Sequence, residues 1–210
     1  RVLAAEDHDV NRRYLAALLE RLGHRARFVD NGWHAVQAAG VQHFDIVLMD
    51  LHMPLLDGVD AALGIRALEG PMGNVPIVAL TADAFPDTRE RCVAAGMNDF
   101  LVKPVSLQQL AAMFSRQFGI PEPLGLVIPP AAEVTHGLLD TAVIEGVLSV
   151  MSRERFVALA AHFLDEGRST VERMQSAAEV GDMALLRRSA HSAKGAALNL
   201  GLPALADAAQ

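Results

Sequence analysis

The chain has 210 residues, of which 51% are hydrophobic, and it carries a formal net charge of −7. This length fits one large domain or two modest ones, and the apolar content allows a sizeable core. The acidic balance without clustered Lys or Arg excludes nucleic acid as a partner, and the single cysteine, Cys92, excludes an internal disulfide and a cysteine-based metal site.

Residues 1–118 alternate short β-branched runs with longer stretches of helical periodicity. The predicted strands are 2–5, 25–29, 44–49, 75–80 and 99–102, and the predicted helices are 9–22, 32–40, 58–68, 86–95 and 106–117. Glycines near the helix ends act as stop signals. Five strands that alternate with five helices predict an α/β fold, in which a doubly wound parallel sheet carries helices on both faces.

A proline-rich segment separates this part from a purely helical one. Four of the ten prolines fall at 121, 123, 129 and 130, so residues 119–138 are interpreted as a linker. Residues 139–210 then show helical periodicity at 140–150, 152–178 and 182–200, with Asp140, Ser152 and Asp182 as N-cap residues. Because Pro203 begins a further helix and the chain stops at Gln210, we expect an all-α helical bundle whose C-terminal helices are incomplete.

The sequence also bears on where the chain works. No apolar run reaches the roughly 18 residues that a membrane-spanning helix needs, and the start has neither a Met nor a signal-peptide pattern. We therefore expect a fragment of a longer cytoplasmic protein. The sequence leaves open whether the parent chain is anchored in the inner membrane.

Polar residues follow the predicted strands at their C-terminal ends. Glu6 and Asp7 follow the first strand, Asp50 the third, Thr81 the fourth and Lys103 the fifth. Because the carboxyl ends of parallel strands share one edge of a sheet, we expect these side chains to converge on Asp50. Taken singly, each has an ordinary interpretation, since an acid at a strand end is most often a helix cap and a lysine is most often a surface charge.

An aspartate surrounded in this way is suited to accept a phosphoryl group. Repulsion between its carboxylate and the phosphoryl oxygens has to be removed, and a divalent cation held by a few carboxylates does so. Lys103 would neutralise one phosphoryl oxygen, and the Thr81 hydroxyl would donate a hydrogen bond to another. The residues therefore predict phosphorylation of Asp50 with Mg²⁺, or another divalent cation, as the cofactor.

Four stretches carry a family resemblance. They are Glu6-Asp7, the run from Asp50 to Gly58, Thr81-Ala82, and the run from Phe100 to Pro104. In this order and at these strand ends they resemble the receiver (response regulatory) domain of two-component signalling, over residues 1–118, which implies a five-stranded flavodoxin-like fold.

The resemblance also assigns roles to single residues. It makes Asp50 the phosphoacceptor, Asp7 a direct Mg²⁺ ligand, Glu6 a ligand that acts through water, and the backbone carbonyl of His52 a further ligand. Thr81 and Phe100 become a switch pair, Lys103 the phosphoryl-binding cation, and the peptide bond before Pro104 is expected to be cis. Glu6 departs from the pattern, because an aspartate is more usual at that position.

His191 is the second candidate phosphorylation site. It lies one position beyond Ala190, a residue of the apolar seam of its helix, so its imidazole is rotated by about 100° from the buried face and should lie at the surface. Arg187, Arg188 and Lys194 lie within one helical turn. The ordinary interpretation is a solvated histidine near incidental positive charge.

The run from Ala190 to Gly201 closely resembles the phosphoacceptor helix of histidine phosphotransfer (HPt) domains, and the resemblance extends over residues 139–210. It implies that His191 is phosphorylated, that Lys194 stabilises the phosphoryl group and that Gly195 leaves room for a docking partner. The remaining histidines, at 8, 24, 34, 43, 52, 136 and 162, are interpreted as structural or solvated, because none pair at metal-ligand spacing on one helix.

Together the two resemblances predict the C-terminal part of a bacterial hybrid sensor histidine kinase. Asp50 would accept a phosphoryl group from an upstream kinase histidine of the same parent chain, and His191 would pass it to a response regulator. No P-loop or other glycine-rich phosphate loop is present, so the chain has no ATP-binding catalytic domain.

Two alternatives stay open. One is an aspartyl-phosphate phosphatase or mutase, although His52 occupies the place where those hydrolases carry a second acid. The other is a non-phosphorylated docking module, which the loss of an acid or of Lys103 would have favoured.

Overall fold

The computed structural model describes residues 1–82, 85–119 and 138–209. Its five strands form one parallel sheet in the order β2-β1-β3-β4-β5. The strands are Val2–Ala5 (β1), Ala26–Val29 (β2), Ile46–Asp50 (β3), Ile77–Thr81 (β4) and Asp99–Val102 (β5). The sheet confirms the predicted doubly wound α/β fold.

Helices cover both faces of this sheet. They are Asp9–Arg21 (α1), Gly32–Val41 (α2), Gly58–Arg66 (α3), Pro86–Ala94 (α4) and Leu107–Phe118 (α5), with a short 3-10 helix at Pro71–Asn74 that the sequence did not predict. Residues of α1 and α5 join one apolar cluster, and residues of α2, α3 and α4 join the other. Each strand is thereby buried from one or both sides, as a parallel sheet requires.

Three strands begin later than predicted, the second by a single residue, at Ala26. The fourth starts at Ile77 rather than at residue 75, because Pro76 has no N–H to donate to the ladder. The third starts at Ile46, although Phe44 before it is buried in the core. Asp50 is therefore the last residue of β3 itself, and its side chain lies at the C-terminal edge of the sheet.

The second half of the described chain is entirely helical. Its helices are Thr141–Leu148 (α6), Arg153–Val180 (α7), Met183–Asn199 (α8) and Pro203–Ala208 (α9). Asp140, Ser152 and Asp182 accept hydrogen bonds from the first turns of α6, α7 and α8, which confirms the three predicted N-caps. The predicted linker prolines lie outside the described residues, and the domain boundaries at 118 and 139 stay predictions.

Helix α1 lies between the sheet and the helical bundle, where it contacts both α7 and α8. Val10 and Leu18 of α1 belong to the same apolar cluster as Leu159 and Phe163 of α7. This packing brings the middle of α8 to the C-terminal edge of the sheet. Among the described helices, none is long and apolar enough to cross a membrane.

Candidate phosphotransfer site

Asp50 lies at the bottom of the site, with only 2% of the residue exposed. The chain folds back over it through Gly58, whose N–H donates to the Leu51 carbonyl. A Cβ atom at Gly58 would lie 2.1 Å from the Asp50 carbonyl oxygen, so no residue with a side chain fits there without moving the strand end. The glycine lets helix α3 start directly behind the carboxylate.

Lys103 binds two carboxylates at once. Its Nζ lies 2.6 Å from Asp50 Oδ2 and 2.7 Å from Glu6 Oε2, and the residue is 5% exposed. The Lys103 N–H donates to the Thr81 carbonyl at 2.7 Å, which ties the end of β5 to the end of β4. The peptide bond to Pro104 is cis, as the resemblance led us to expect.

Glu6 is held from two further directions. Asn11 donates to Glu6 Oε1 at 2.8 Å from the first turn of α1, and the His8 N–H donates to the same oxygen at 3.3 Å. Arg12 donates to the backbone carbonyls of Glu6 and Asp7 at 3.0 and 2.6 Å. The loop after β1 is therefore fixed by α1, and Asn11 and Arg12 are site residues that the sequence reasoning missed.

The buried acids differ in their ionisation. Burial and repulsion from Asp50 raise the pKa of Glu6 to about 8 and that of Asp7 to about 6. Burial also acts to raise the pKa of Asp50, but the Lys103 ammonium outweighs it and holds that pKa below its usual range. Burial would lower the pKa of Lys103, and the two carboxylates raise it instead.

The acidic cluster fits a divalent cation. Carboxylate oxygens of Glu6, Asp7 and Asp50 lie within 4.8 Å of one another. One ammonium cannot neutralise three carboxylates, and burial together with repulsion from Asp50 raises the pKa values of Glu6 and Asp7. The His52 N–H donates to Asp50 Oδ1 at 3.2 Å, so the backbone of His52 also borders the cluster. Oxygen donors of this kind are those that Mg²⁺ prefers.

Thr81 and Phe100 lie on neighbouring strands of the same region. Thr81 ends β4, is 2% exposed and pairs with Val102, while Phe100 pairs with Ala79 farther from the edge. The Phe100 ring is half-buried, with the Arg89 guanidinium 5.2 Å from its centroid. Thr81 thus joins Asp50 at the sheet edge, whereas Phe100 lies behind it.

The structure brings His191 to the same edge. Its ring centroid lies 3.7 Å from that of His52, and ligand atoms of Asp50, His52 and His191 lie within 4.8 Å of one another. The adjacent Ser192 hydroxyl lies 3.5 Å from Asp7 Oδ1. His191 is thus half-buried against the α/β domain rather than solvated, and the His52 ring, which was interpreted as structural or solvated, packs against it.

Gly195 and Lys194 border this contact. A Cβ atom at Gly195 would meet Lys103 Cδ at 3.4 Å and Asn11 Nδ2 at 3.5 Å, so α8 lies directly on the buried lysine. Lys194 lines a cleft of about 660 Å³ between the two halves, together with Arg91, Arg187 and Arg188. The cleft borders both His52 and His191 and is rich in positive charge.

Polar pairs across the contact were also missed by sequence reasoning. Asn199 of α8 donates to Asn11 at 2.9 Å, and His162 of α7 lies 3.1 Å from an Asp9 carboxylate oxygen. The partners are far apart in the chain, so no local pattern could reveal them. Only Asn11 could have been found from the sequence, because it is a polar residue in the first turn of α1, directly after Glu6-Asp7, where a helix faces the strand ends.

Two families match the chain. Residues 2–115 match the response regulator receiver domain, and residues 158–210 match the Hpt domain. The sensory/regulatory protein RpfC of Xanthomonas campestris is 32% identical over 214 residues, which cover 98% of this chain and 29% of that protein. The sensor protein GacS of Pseudomonas syringae is 33% identical over 220 residues, or 100% of this chain and 24% of that protein. The chain thus spans 24–29% of the length of these relatives.

Solved structures agree with the fold. One is the receiver domain of the sensor histidine kinase PA1611 from Pseudomonas aeruginosa, which was solved with magnesium in its active site cleft. It is 43% identical in sequence with a TM-score of 0.53, and the match covers 56% of this chain and 96% of that one. Another is a chain from the complex of the Saccharomyces cerevisiae histidine phosphotransfer protein Ypd1 with the receiver domain of Ssk1. It is 29% identical in sequence with a TM-score of 0.52, and the match covers 60% of this chain and 92% of that one. The chain therefore belongs to the response regulator receiver family of two-component phosphorelay signalling, and an Hpt domain follows its receiver domain.

Proposed function

We propose that the chain carries two consecutive steps of a phosphorelay, and that the second step takes place within one molecule. Asp50 accepts a phosphoryl group from a phosphohistidine of an upstream kinase domain, and His191 takes it from Asp50. The observation that carries the proposal is that ligand atoms of Asp50 and His191 lie within 4.8 Å of each other in a single chain.

In the first step the Asp50 carboxylate attacks phosphorus, a P–O bond forms and the P–N bond to the donor histidine breaks. The low pKa of Asp50 keeps the attacking group ionised. Lys103 and the Thr81 hydroxyl stabilise the phosphoryl oxygens. Thr81 and Phe100 then act as the switch pair, the hydroxyl moving toward the phosphoryl group and the ring turning inward.

Mg²⁺ is part of the proposal because the acidic cluster fits it. Asp7 and Asp50 would bind the ion directly, Glu6 would act through water, and the His52 backbone carbonyl would complete the protein ligands. The bound ion supplies positive charge that offsets repulsion between the Asp50 carboxylate and the phosphoryl oxygens.

In the second step a ring nitrogen of His191 attacks the acyl phosphate. The new bond joins nitrogen to phosphorus, the P–O bond to Asp50 breaks, and Asp50 leaves as a carboxylate paired with Lys103. Lys194 stabilises the phosphoryl group on the imidazole, and Gly195 permits the close approach of α8 to Lys103. Docking through α1 holds the reacting groups together, so the step needs no encounter between two molecules.

The partners are proposed from the same chemistry. The upstream donor is a histidine kinase domain of the parent chain, which draws on cytoplasmic ATP, and the downstream acceptor is the receiver domain of a separate response regulator. That receiver has to occupy the surface of α8 that this chain's own receiver covers. The two receivers therefore bind in turn, and undocking precedes delivery.

The test uses a small-molecule phosphodonor with Mg²⁺ and separates base-labile acyl phosphate from acid-labile phosphohistidine. Asp50→Asn should abolish both species, and His191→Gln should retain only the acyl phosphate. Asp60→Asn and His43→Gln, at exposed positions, are matched controls that should retain both. Unchanged labelling of Asp50→Asn, or phosphohistidine in His191→Gln, would contradict the assignment. Steady hydrolysis of phosphate monoesters would favour the phosphatase alternative instead.

A further inference from the structure

Asp50, His52 and His191 together form a set of metal-ligating side chains that the relay chemistry does not use as a set. The side chain of His52 has no part in the proposed transfer, yet it lies against His191 with ring centroids 3.7 Å apart and the planes inclined by 41°. One ligand atom from each of the three residues lies within 4.8 Å of the other two. Two of them belong to the receiver domain and the third to the phosphotransfer helix.

The chemistry of this set differs from that of the acidic cluster beside it. Two imidazoles and one carboxylate are typical ligands of zinc and related divalent transition metals, whereas Mg²⁺ prefers oxygen donors and retains its waters. Three protein ligands leave one position of a tetrahedral site open to water. Zn²⁺ binds such ligands at about 2.0–2.2 Å, which places them roughly 3.3 Å apart, a contraction that small rotations of the side chains supply.

The surroundings allow an ion to enter and bind. The 660 Å³ cleft borders both His52 and His191, and so gives a path from solvent. Asp50 Oδ2 is held by Lys103, and Oδ1, which accepts the backbone N–H of His52, is an oxygen of the type that divalent metals bind.

We infer that Asp50, His52 and His191 form a binding site for a divalent transition-metal ion, with zinc as the representative metal, and that the site exists only while the two domains are docked. The inference rests on the docked arrangement of the proposed function. An ion there occupies the donor and the acceptor of the second transfer step at once. Binding therefore locks α8 onto the receiver and stops phosphoryl transfer.

The test measures Zn²⁺ binding to the whole chain by competition with a chromophoric chelator, in the absence of Mg²⁺ because Asp50 belongs to both ligand sets. Co²⁺ serves as a second probe, because a tetrahedral site gives intense visible absorption. One ion should bind per chain, and His52→Ala and His191→Gln should each weaken binding roughly tenfold or more. His43→Ala, at an exposed position of the receiver, should leave the affinity unchanged.

Three results would overturn the inference. Unchanged zinc affinity in His52→Ala or in His191→Gln would remove that residue from the site. Loss of binding in Asp7→Asn with retention in His52→Ala would locate the ion in the acidic cluster. Equal loss in His43→Ala would indicate non-specific histidine binding. Circular dichroism and a urea midpoint close to that of the wild-type chain show that each variant is folded.

Measuring phosphate transfer from Asp50 to His191 in the absence of zinc distinguishes a failure of the metal site from a failure of the proposed function on which it rests. For each chain, the transfer rate with zinc is compared with the rate of the same chain without zinc. Zinc should lower the transfer rate of the wild-type chain strongly and that of His52→Ala much less. Transfer that proceeds in the wild type and is indifferent to bound zinc would contradict the metal site alone. Failure of transfer without zinc would contradict the proposed function, whatever the metal does.

Discussion

The Asn199 side-chain amide at the end of α8 donates a 2.9 Å hydrogen bond to Asn11 Oδ1 on α1, and both residues are buried. Asn11 in turn donates to Glu6 Oε1 at 2.8 Å. One asparagine thus connects the phosphotransfer helix to the acidic cluster of the receiver. Docking and the geometry of the site are coupled through this residue.

Asn199→Ala should weaken docking without harming the receiver. The substitution leaves the buried Asn11 oxygen without its donor, which costs about 1–3 kcal/mol and corresponds to a fall of about 5- to 150-fold in the equilibrium constant for docking. Transfer from Asp50 to His191 should slow accordingly, while labelling of Asp50 stays normal. Quench-flow measurement of both phosphate species checks this, with the exposed Asn74→Ala as the matched control. Equal transfer rates in the two variants would contradict the role of the pair.

Gly58→Ala and Gly167→Ala should have opposite effects on stability. The new methyl group at position 58 would overlap the Asp50 carbonyl, at 2.1 Å, and displace the end of β3, whereas nothing described lies within 4 Å of a Cβ atom at Gly167 in α7. The first variant should lose stability and Asp50 labelling. The second should gain up to about 1 kcal/mol from its higher helix propensity. Urea denaturation measures both, and a well-folded, normally labelled Gly58→Ala protein would refute the packing argument.

Lys103→Met and Lys194→Met compare the chain's two lysines. Loss of the Lys103 ammonium leaves Asp50 and Glu6 buried without their cation, so we expect a loss of about 3–5 kcal/mol in unfolding free energy and no labelling of Asp50. Lys194 is half-buried at the cleft, and its variant should keep its urea midpoint and Asp50 labelling but slow transfer to His191. Similar behaviour of the two variants in both assays would argue against the separate roles.

Asp7→Asn should weaken Mg²⁺ binding and raise the stability of the metal-free chain. Without metal, the three crowded carboxylates repel one another, and removal of one charge should raise the melting temperature. The wild-type chain should gain stability as Mg²⁺ is added, because the ion binds the folded state, and the variant should gain much less. Thermal melts over a Mg²⁺ titration test this against the exposed Asp87→Asn. An equal response to Mg²⁺ in Asp7→Asn and wild type would exclude Asp7 as a ligand.

The sequence predicted the elements that local patterns determine. The alternation of strands and helices, the position of Asp50 at a strand end and the caps at Ser152 and Asp182 all follow from residues close together in the chain. The start of β4 was wrong because the missing N–H of Pro76 was not considered. Convergence of Lys103 on Asp50 was predictable because the topology of a parallel sheet fixes which strand ends meet.

The contact between the domains was beyond this reasoning. Asn11 and Asn199 are 188 positions apart, and a polar residue on a helix is ordinarily solvated. The His52 side chain was interpreted as structural or solvated, because metal-ligand spacing was sought within single helices. Its pairing with His191 arises from the docking of two domains, which no periodicity in either domain encodes.

Transfer within one molecule is tested most directly by following phosphate from Asp50 to His191 over a hundredfold range of protein concentration. The proposed docked arrangement predicts a first-order rate that does not change with concentration. It also predicts that a mixture of Asp50→Asn and His191→Gln chains forms phosphohistidine far more slowly than the wild-type chain. A rate that rises in proportion to concentration, with full activity of the mixture, would contradict transfer within the docked chain.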